Sequence, residues 1–152
     1  MTVRKESGLK DLVKREVTSV DIHYVGSSLS QLKGLTEVSK SCQQFINYGC
    51  KGPLIFPLRP SSVYAWWVSR DGENMTYWGR VTVGCECGMN TSCANPKKLC
   101  NCEKNDFVWR EDCGLLTNKS YLPVSQLRYG DTDGAREEGY HTLGKLECYG
   151  IN

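Results

Sequence analysis

Along residues 17–25, VTSVDIHYV, apolar and polar side chains alternate, which predicts a strand with one buried face. From residue 27 the period changes. Leu29, Leu32, Leu35 and Val38 recur at steps of about three residues. Ser27 or Ser28 can cap a helix, and Gln31, three residues after Ser28, completes a capping-box pattern, so a short amphipathic helix is expected within 29–39, weakened by Gly34. That pattern runs on into 41–50, SCQQFINYGC, where helix spacing fits better than strand spacing. Pro53, Pro57 and Pro60 then break regular structure and predict an extended loop that docks Leu54, Ile55 and Phe56 on the core.

Residues 63–68, VYAWWV, are the plainest strand in the chain. The Asp71-Gly72 turn predicts a hairpin back through Met75–Val83, with Tyr64, Trp66 and Trp67 facing Tyr77 and Trp78. A short strand is expected in 103–113, around Phe107 and Trp109. A turn follows at 118–120, a strand at Leu122–Tyr129, and a closing alternating strand with Leu143, Leu146 and Cys148. No repeat is visible. The reading is an α+β domain, a mixed sheet with short helices and long loops, over 17–152, preceded by a mixed-charge lead segment, 1–16.

The length of 152 residues suffices for one domain with a sizeable core. The net charge of +2 is small and dispersed, which argues against nucleic acid as a partner. No apolar run is long enough to cross a bilayer. The polar N-terminus has no apolar signal region, yet nine cysteines in this length suggest a secreted framework. A piece of a larger secreted or membrane-anchored protein reconciles the two, with Met1 internal to it. Three N-x-S/T triplets, at Asn74, Asn90 and Asn118, sit in polar contexts where a glycan can project, and they favour an extracellular location.

Five cysteines, Cys85, Cys87, Cys93, Cys100 and Cys102, fall within residues 85–102 in a C-x-C-x5-C-x6-C-x-C spacing. This stretch is nearly free of large apolar side chains, so covalent bonds or an ion must hold it. Zinc prefers C-x2-4-C pairs, so the spacing favours disulfides; a zinc-stabilised intracellular module remains the alternative. An odd count leaves one cysteine over. His23 and His141 sit in no nucleophile motif, and no P-loop, G-x-S-x-G or H-E-x-x-H occurs, so no catalytic site can be assembled. The four tryptophans read as core before they read as a ligand platform. Asp131 and Asp133 alternate as calcium ligands do, but the rest of a calcium loop is missing, which makes a polar turn the plainer reading. No cofactor is otherwise expected.

In order, Cys42-Gln43-Gln44, Tyr48-Gly49-Cys50-Lys51, Ala65-Trp66-Trp67-Val68, Tyr77-Trp78-Gly79, Cys85-Glu86-Cys87-Gly88, Cys93, Cys100-Asn101-Cys102, Leu122-Pro123-Val124-Ser125-Gln126, Gly130-Asp131-Thr132-Asp133 and Gly144-Lys145-Leu146-Glu147-Cys148 resemble the fibrinogen-like region of contactin-associated proteins. These are neurexin-related cell-surface adhesion proteins. The resemblance runs from about Val17 to Gly150. More distantly, Ile46-Asn47-Tyr48-Gly49-Cys50-Lys51 and Cys148 resemble the fibrillar collagen C-propeptide. The resemblance implies an extracellular, disulfide-bonded, non-catalytic module whose partners are other extracellular proteins or copies of itself. The alternative it implies is a propeptide-like assembly module of a matrix or filament protein. It places Cys42, Cys50, Cys85, Cys87, Cys93, Cys100, Cys102 and Cys148 at family positions. Cys113 is left as the odd one, in a charged turn, for a bridge to another chain or to a segment outside this one. By analogy with the propeptide, Cys50 pairs with Cys85 and Cys42 with Cys148. The family's domain starts earlier, with a further cysteine pair, so this chain corresponds to the larger, C-terminal part of that unit.

Overall fold

The computed structural model describes residues 18–53, 55, 64–81, 83–130 and 137–152. The lead segment, most of the proline-rich loop with Leu54 and Phe56, and the calcium candidates Asp131 and Asp133 lie outside the described residues. In chain order the elements are β1 (Thr18–Asp21), α1 (Leu29–Val38), β2 (Ser41–Lys51), β3 (Ala65–Val68), β4 (Asn74–Met75), β5 (Tyr77–Trp78), β6 (Gly84–Cys85), two 3-10 turns (Glu86–Met89 and Asn101–Lys104), β7 (Arg110–Leu116), β8 (Gln126–Tyr129) and β9 (Glu138–Tyr149). One antiparallel sheet has the order β1-β8-β3-β4 and a second the order β7-β2-β9. β5 and β6 form a short parallel pair.

α1 starts as the capping box requires. The Gln31 N–H donates to Ser28 Oγ at 3.1 Å, and the Ser28 N–H donates to Gln31 Oε1 at 2.9 Å. It ends at Ser39, whose extended backbone turns the chain into β2. Residues 41–50 are therefore strand, not a continuation of the helix. Cys42, Gln44, Ile46, Tyr48 and Cys50 are all buried at a spacing of two. β2 is the central strand of its sheet, and residues 46–50 are buried whichever way they point, with Ile46, Tyr48 and Cys50 in the core and Gly49 beneath the Tyr140 ring, which blurs the alternation by which a half-exposed strand is recognised. Opposite Phe45, β9 carries the extra residues Gly144 and Lys145 in a bulge. A side chain at Gly144 would come within 2.9 Å of the Phe45 Cβ, so only glycine fits there.

The hairpin after β3 forms, but its return arm is only Asn74–Met75. Ser69 Oγ accepts from the N–H groups of Asp71 and Glu73, and Gly72 takes a φ of +88°. Among the described residues the expected ladder does not run on to Val83, because Trp78 turns away into the space between the sheets. There its ring stacks on Tyr48 and His141 at 6.0 and 5.8 Å. Gly79, at a φ of +109°, redirects the chain just after it. Trp67 meets Tyr77 edge-on at 5.4 Å and donates to its carbonyl at 2.7 Å. Trp67 and Trp78 are core residues, whereas Trp109 is exposed. The strand expected in 103–113 lies further on, at Arg110–Leu116, with Phe107 and Trp109 ahead of it. Of Leu122–Tyr129, only Gln126–Tyr129 pairs as a strand.

Two polar side chains bind the layers together. Gln44, fully buried, accepts from the Val124 N–H at 3.0 Å and donates to Tyr24 Oη at 2.8 Å and to the Gly144 carbonyl at 3.1 Å. Every polar atom of its amide is therefore engaged. Arg70 donates through Nη1 to Thr36 of α1 and to the carbonyls of Lys119 and Leu122, each of these two at 3.1 Å, which ties helix, hairpin and the 118–121 turn at one point.

Candidate interaction face and disulfide lobe

Residues 84–104 form a lobe with little apolar packing of its own. Bridges join Cys85 to Cys100, Cys87 to Cys93, and Cys50 to Cys102. A fourth joins Cys42 to Cys148 directly across β2 and β9. The Cys50–Cys85 pairing implied by the propeptide is replaced by Cys50–Cys102. The reason is local. Cys85 and Cys100 each stand at the extended N-terminus of a 3-10 turn, while Cys87 and Cys102 lie inside those turns. The two thiols of each C-x-C thus leave in different directions rather than along one strand face. The same divergence defeats the zinc reading, which needs both pairs to converge. Cys85, Cys100 and Asp112 do lie close together, but the two sulfurs are bonded to each other.

Asp112 docks the lobe on β7. Its carboxylate accepts the N–H of Asn101 at 2.8 Å and of Cys102 at 2.9 Å, the open end of the second 3-10 turn. Burial pushes its pKa up to about 6, against the pull of those two bonds. Sequence reading missed this residue, because the run Arg110-Glu111-Asp112 looks like an exposed turn; the signal was the strand alternation that buries Asp112 between exposed Glu111 and Cys113. Asp112, Tyr48 and His141 form one cross-strand row on the inner face of the sheet. His141 is packed among the rings of Tyr48, Trp78 and Tyr129, and neither nitrogen has a hydrogen-bond partner among the described residues. Burial holds its pKa down at about 3. It is a neutral core histidine; His23 is exposed.

The opposite face of the β7-β2-β9 sheet looks outward. Asn47, Cys113 and Thr142 make one row of it, with Phe45 and Leu115 on one side and Gly49, Glu111 and Tyr140 on the other. The Tyr140 ring lies across Gly49, where a Cβ would meet it at 2.1 Å, and reaches Trp109 at a centroid distance of 5.6 Å. Its hydroxyl donates to Glu111 Oε1. Phe45 is 37% and Trp109 48% exposed, so the face carries apolar surface open to solvent. Cys113 is the free cysteine, exposed in mid-strand rather than in the expected turn. Partial burial first, then Glu111, Glu86 and Asp112, raise its pKa.

The three sequon asparagines are exposed. Asn74, on β4, accepts from Trp66 Nε1 at 3.1 Å. Asn90 closes the first 3-10 turn. Asn118 Oδ1 accepts from the Ser120 N–H at 3.1 Å in the turn after β7.

No protein-family model matches the chain. Among curated proteins, neurexin-4 of Drosophila melanogaster is 38% identical over 130 residues, 79% of this chain and 10% of that protein. Contactin-associated protein 1 of Homo sapiens and of Mus musculus is 35% identical over 132 residues, 85% of this chain and 10% of each. The chain spans about a tenth of the length of the curated relatives it matches. The chain, whose described residues build two antiparallel sheets, a short parallel pair and one α-helix braced by four disulfides, and which shares this identity over most of its length, is a domain related to neurexin-4 and the contactin-associated proteins.

Proposed function

We propose that the chain is the fibrinogen-like region of an extracellular adhesion protein, a non-catalytic module that contacts other extracellular proteins through the outer face of the β7-β2-β9 sheet. The observation that carries this reading is that face: Phe45, Leu115, Trp109 and Tyr140 offer apolar area on a sheet whose other side is the core. The disulfide framework and the relationship to cell-surface proteins support the compartment. The human relative is named for association with contactin, which makes a contactin the first partner to test. The chain, secreted from animal cells behind a leader, should bind contactin-bearing cells saturably. Phe45→Glu with Leu115→Glu should weaken binding at least tenfold while leaving secretion and the bridges intact. Equal binding by the double variant sinks the assignment of the face. All nine thiols free in the secreted material sink the extracellular reading itself.

The free Cys113 at the centre of that face favours a second reading, an assembly module in which the partner is another copy. An exposed thiol in an oxidising compartment tends to find a partner. Sizing with and without reductant separates the two. A reductant-sensitive dimer that Cys113→Ser abolishes supports assembly, and a monomer under both conditions removes it.

A further inference from the structure

A second surface feature lies away from that face. A groove of about 650 Å³ runs between the disulfide lobe and the 117–121 turn, lined by Met75, Tyr77, Val83, Met89, Leu99 and Tyr121, with Asn118 on its rim. Its volume is in the range of about 300–1,000 Å³ usual for small-ligand clefts. Val83 is 57%, Met89 71% and Leu99 46% exposed, an apolar patch with no cover among the described residues. Asn118 is the asparagine of an N-x-S sequon, is exposed, and is itself a lining residue.

The geometry points to the groove as the seat of the first sugars of an N-linked glycan on Asn118. This rests on the extracellular reading above. Two half-buried tyrosines, Tyr77 and Tyr121, are among its lining residues, and each brings a large apolar ring with a polar hydroxyl, a mix that suits the C–H faces and hydroxyls of a pyranose. The methyl of an N-acetyl group suits the space beside Met75 and Leu99, while Thr117 and Arg80 give polar edges for hydroxyls. The other two sequons are placed differently. Asn74 accepts from Trp66 and borders another cleft, beside Arg70 and Arg128, and Asn90, next to the lining residue Met89, is not itself a lining residue. In the transfer step, the Asn118 amide nitrogen attacks C1 of a lipid-diphosphate-linked oligosaccharide. The C1–N bond forms as C1–O breaks, the amide gives up one proton, and the lipid diphosphate leaves; no oxidant or reductant is needed.

The occupant makes the groove part of the fold, a covered surface instead of a second docking site. The test uses the full chain secreted from animal cells. Glycopeptide mapping should find Asn118 occupied. Ser120→Ala removes the sequon but keeps Asn118 and its turn; it should lower Tm by about 3 °C or more and speed hydrogen exchange in 76–85. Trimming the native glycan to a single N-acetylglucosamine should leave both readings unchanged. The same Ser120→Ala change in unglycosylated bacterial protein should have no effect, which separates loss of sugar from loss of the hydroxyl. An unmodified Asn118 in secreted, fully bridged protein overturns the inference while leaving the extracellular reading standing. So does an unchanged Tm in secreted Ser120→Ala, or the loss appearing with Asn90→Gln instead.

Discussion

Asp112→Asn should make this domain acid-labile. The inner row Asp112–Tyr48–His141 contains two buried groups whose pKa values are displaced in opposite senses. His141 is held near 3 against an ordinary 6.5. Its unfolded form takes up a proton that the folded form refuses, so its contribution is intact above pH 6.5 and is lost as pH falls toward 3. Between pH 7 and 5 that loss is about 2 kcal/mol. Asp112 is raised to about 6 from 3.8, so at pH 7 its buried charge costs about 3 kcal/mol. Protonation of the folded state below pH 6 relieves the cost, by about 1.3 kcal/mol between pH 7 and 5. The two slopes nearly cancel, and the pair leaves the native protein within about 1 kcal/mol of its neutral stability down to pH 4.

Asparagine at 112 keeps an acceptor for one of the two N–H groups at 2.8 and 2.9 Å, and removes the titration. The histidine slope then stands alone. Urea denaturation at pH 7, 6 and 5, with disulfides intact, should show the variant losing about 2 kcal/mol across the series, and the parent less than about 1 kcal/mol. His141→Phe should show the reverse, gaining about 1 kcal/mol on the same descent. A flat profile for Asp112→Asn, or one that rises toward acid, refutes the reasoning.

Three further outcomes are expected. Replacing both Cys42 and Cys148 with serine should cost about 5 kcal/mol, against about 2 kcal/mol for Cys87 with Cys93, because they close loops of 106 and 6 residues; denaturation of the two double variants measures the ratio. Arg70→Met strands the Lys119 and Leu122 carbonyls and should cost about 2–4 kcal/mol, read from the urea midpoint at constant m. Gly49→Ala forces the Tyr140 ring off β2 and should cost about 1–3 kcal/mol, with a change in Trp109 fluorescence as the ring pair opens.

Local signals carried much of the fold. The capping-box pattern located α1 within the expected 29–39, the apolar run 63–68 located β3, and alternation located β9 and the first half of the strand expected over 17–25, of which only Thr18–Asp21 pairs. It failed where burial is two-sided, at 46–50, and where a lone tryptophan leaves the hairpin to fill the core, at Trp78. Both depend on partners distant in the chain, and period alone does not carry them. The lobe was legible as a lobe, from thiols without apolar neighbours. Its pairing was not, since two short 3-10 turns decide which way each sulfur points. Asp112 and Cys113 were misread together for one reason: a charged run looks like a turn until the strand beside it supplies the ladder.

The place of Cys113 within a strand decides how a partner can approach it. In a turn, Cys113 would project alone and mark only itself. In β7 it stands in register with Asn47 and Thr142, so whatever reaches its thiol must lie along three strands. None of the three sequons lies on β2, β7 or β9: Asn74 is on β4, Asn90 in the lobe and Asn118 beyond the end of β7. Glycans on all three would crowd the hairpin, lobe and groove and leave this sheet face bare. The inner face of the same sheet, with Tyr48, Ile46 and His141 fully packed, fixes the strands against movement. The proposed contact face is thus a sequon-free, partly apolar surface, packed firmly from behind, with one thiol in its middle row, open to another protein or to a copy of this one.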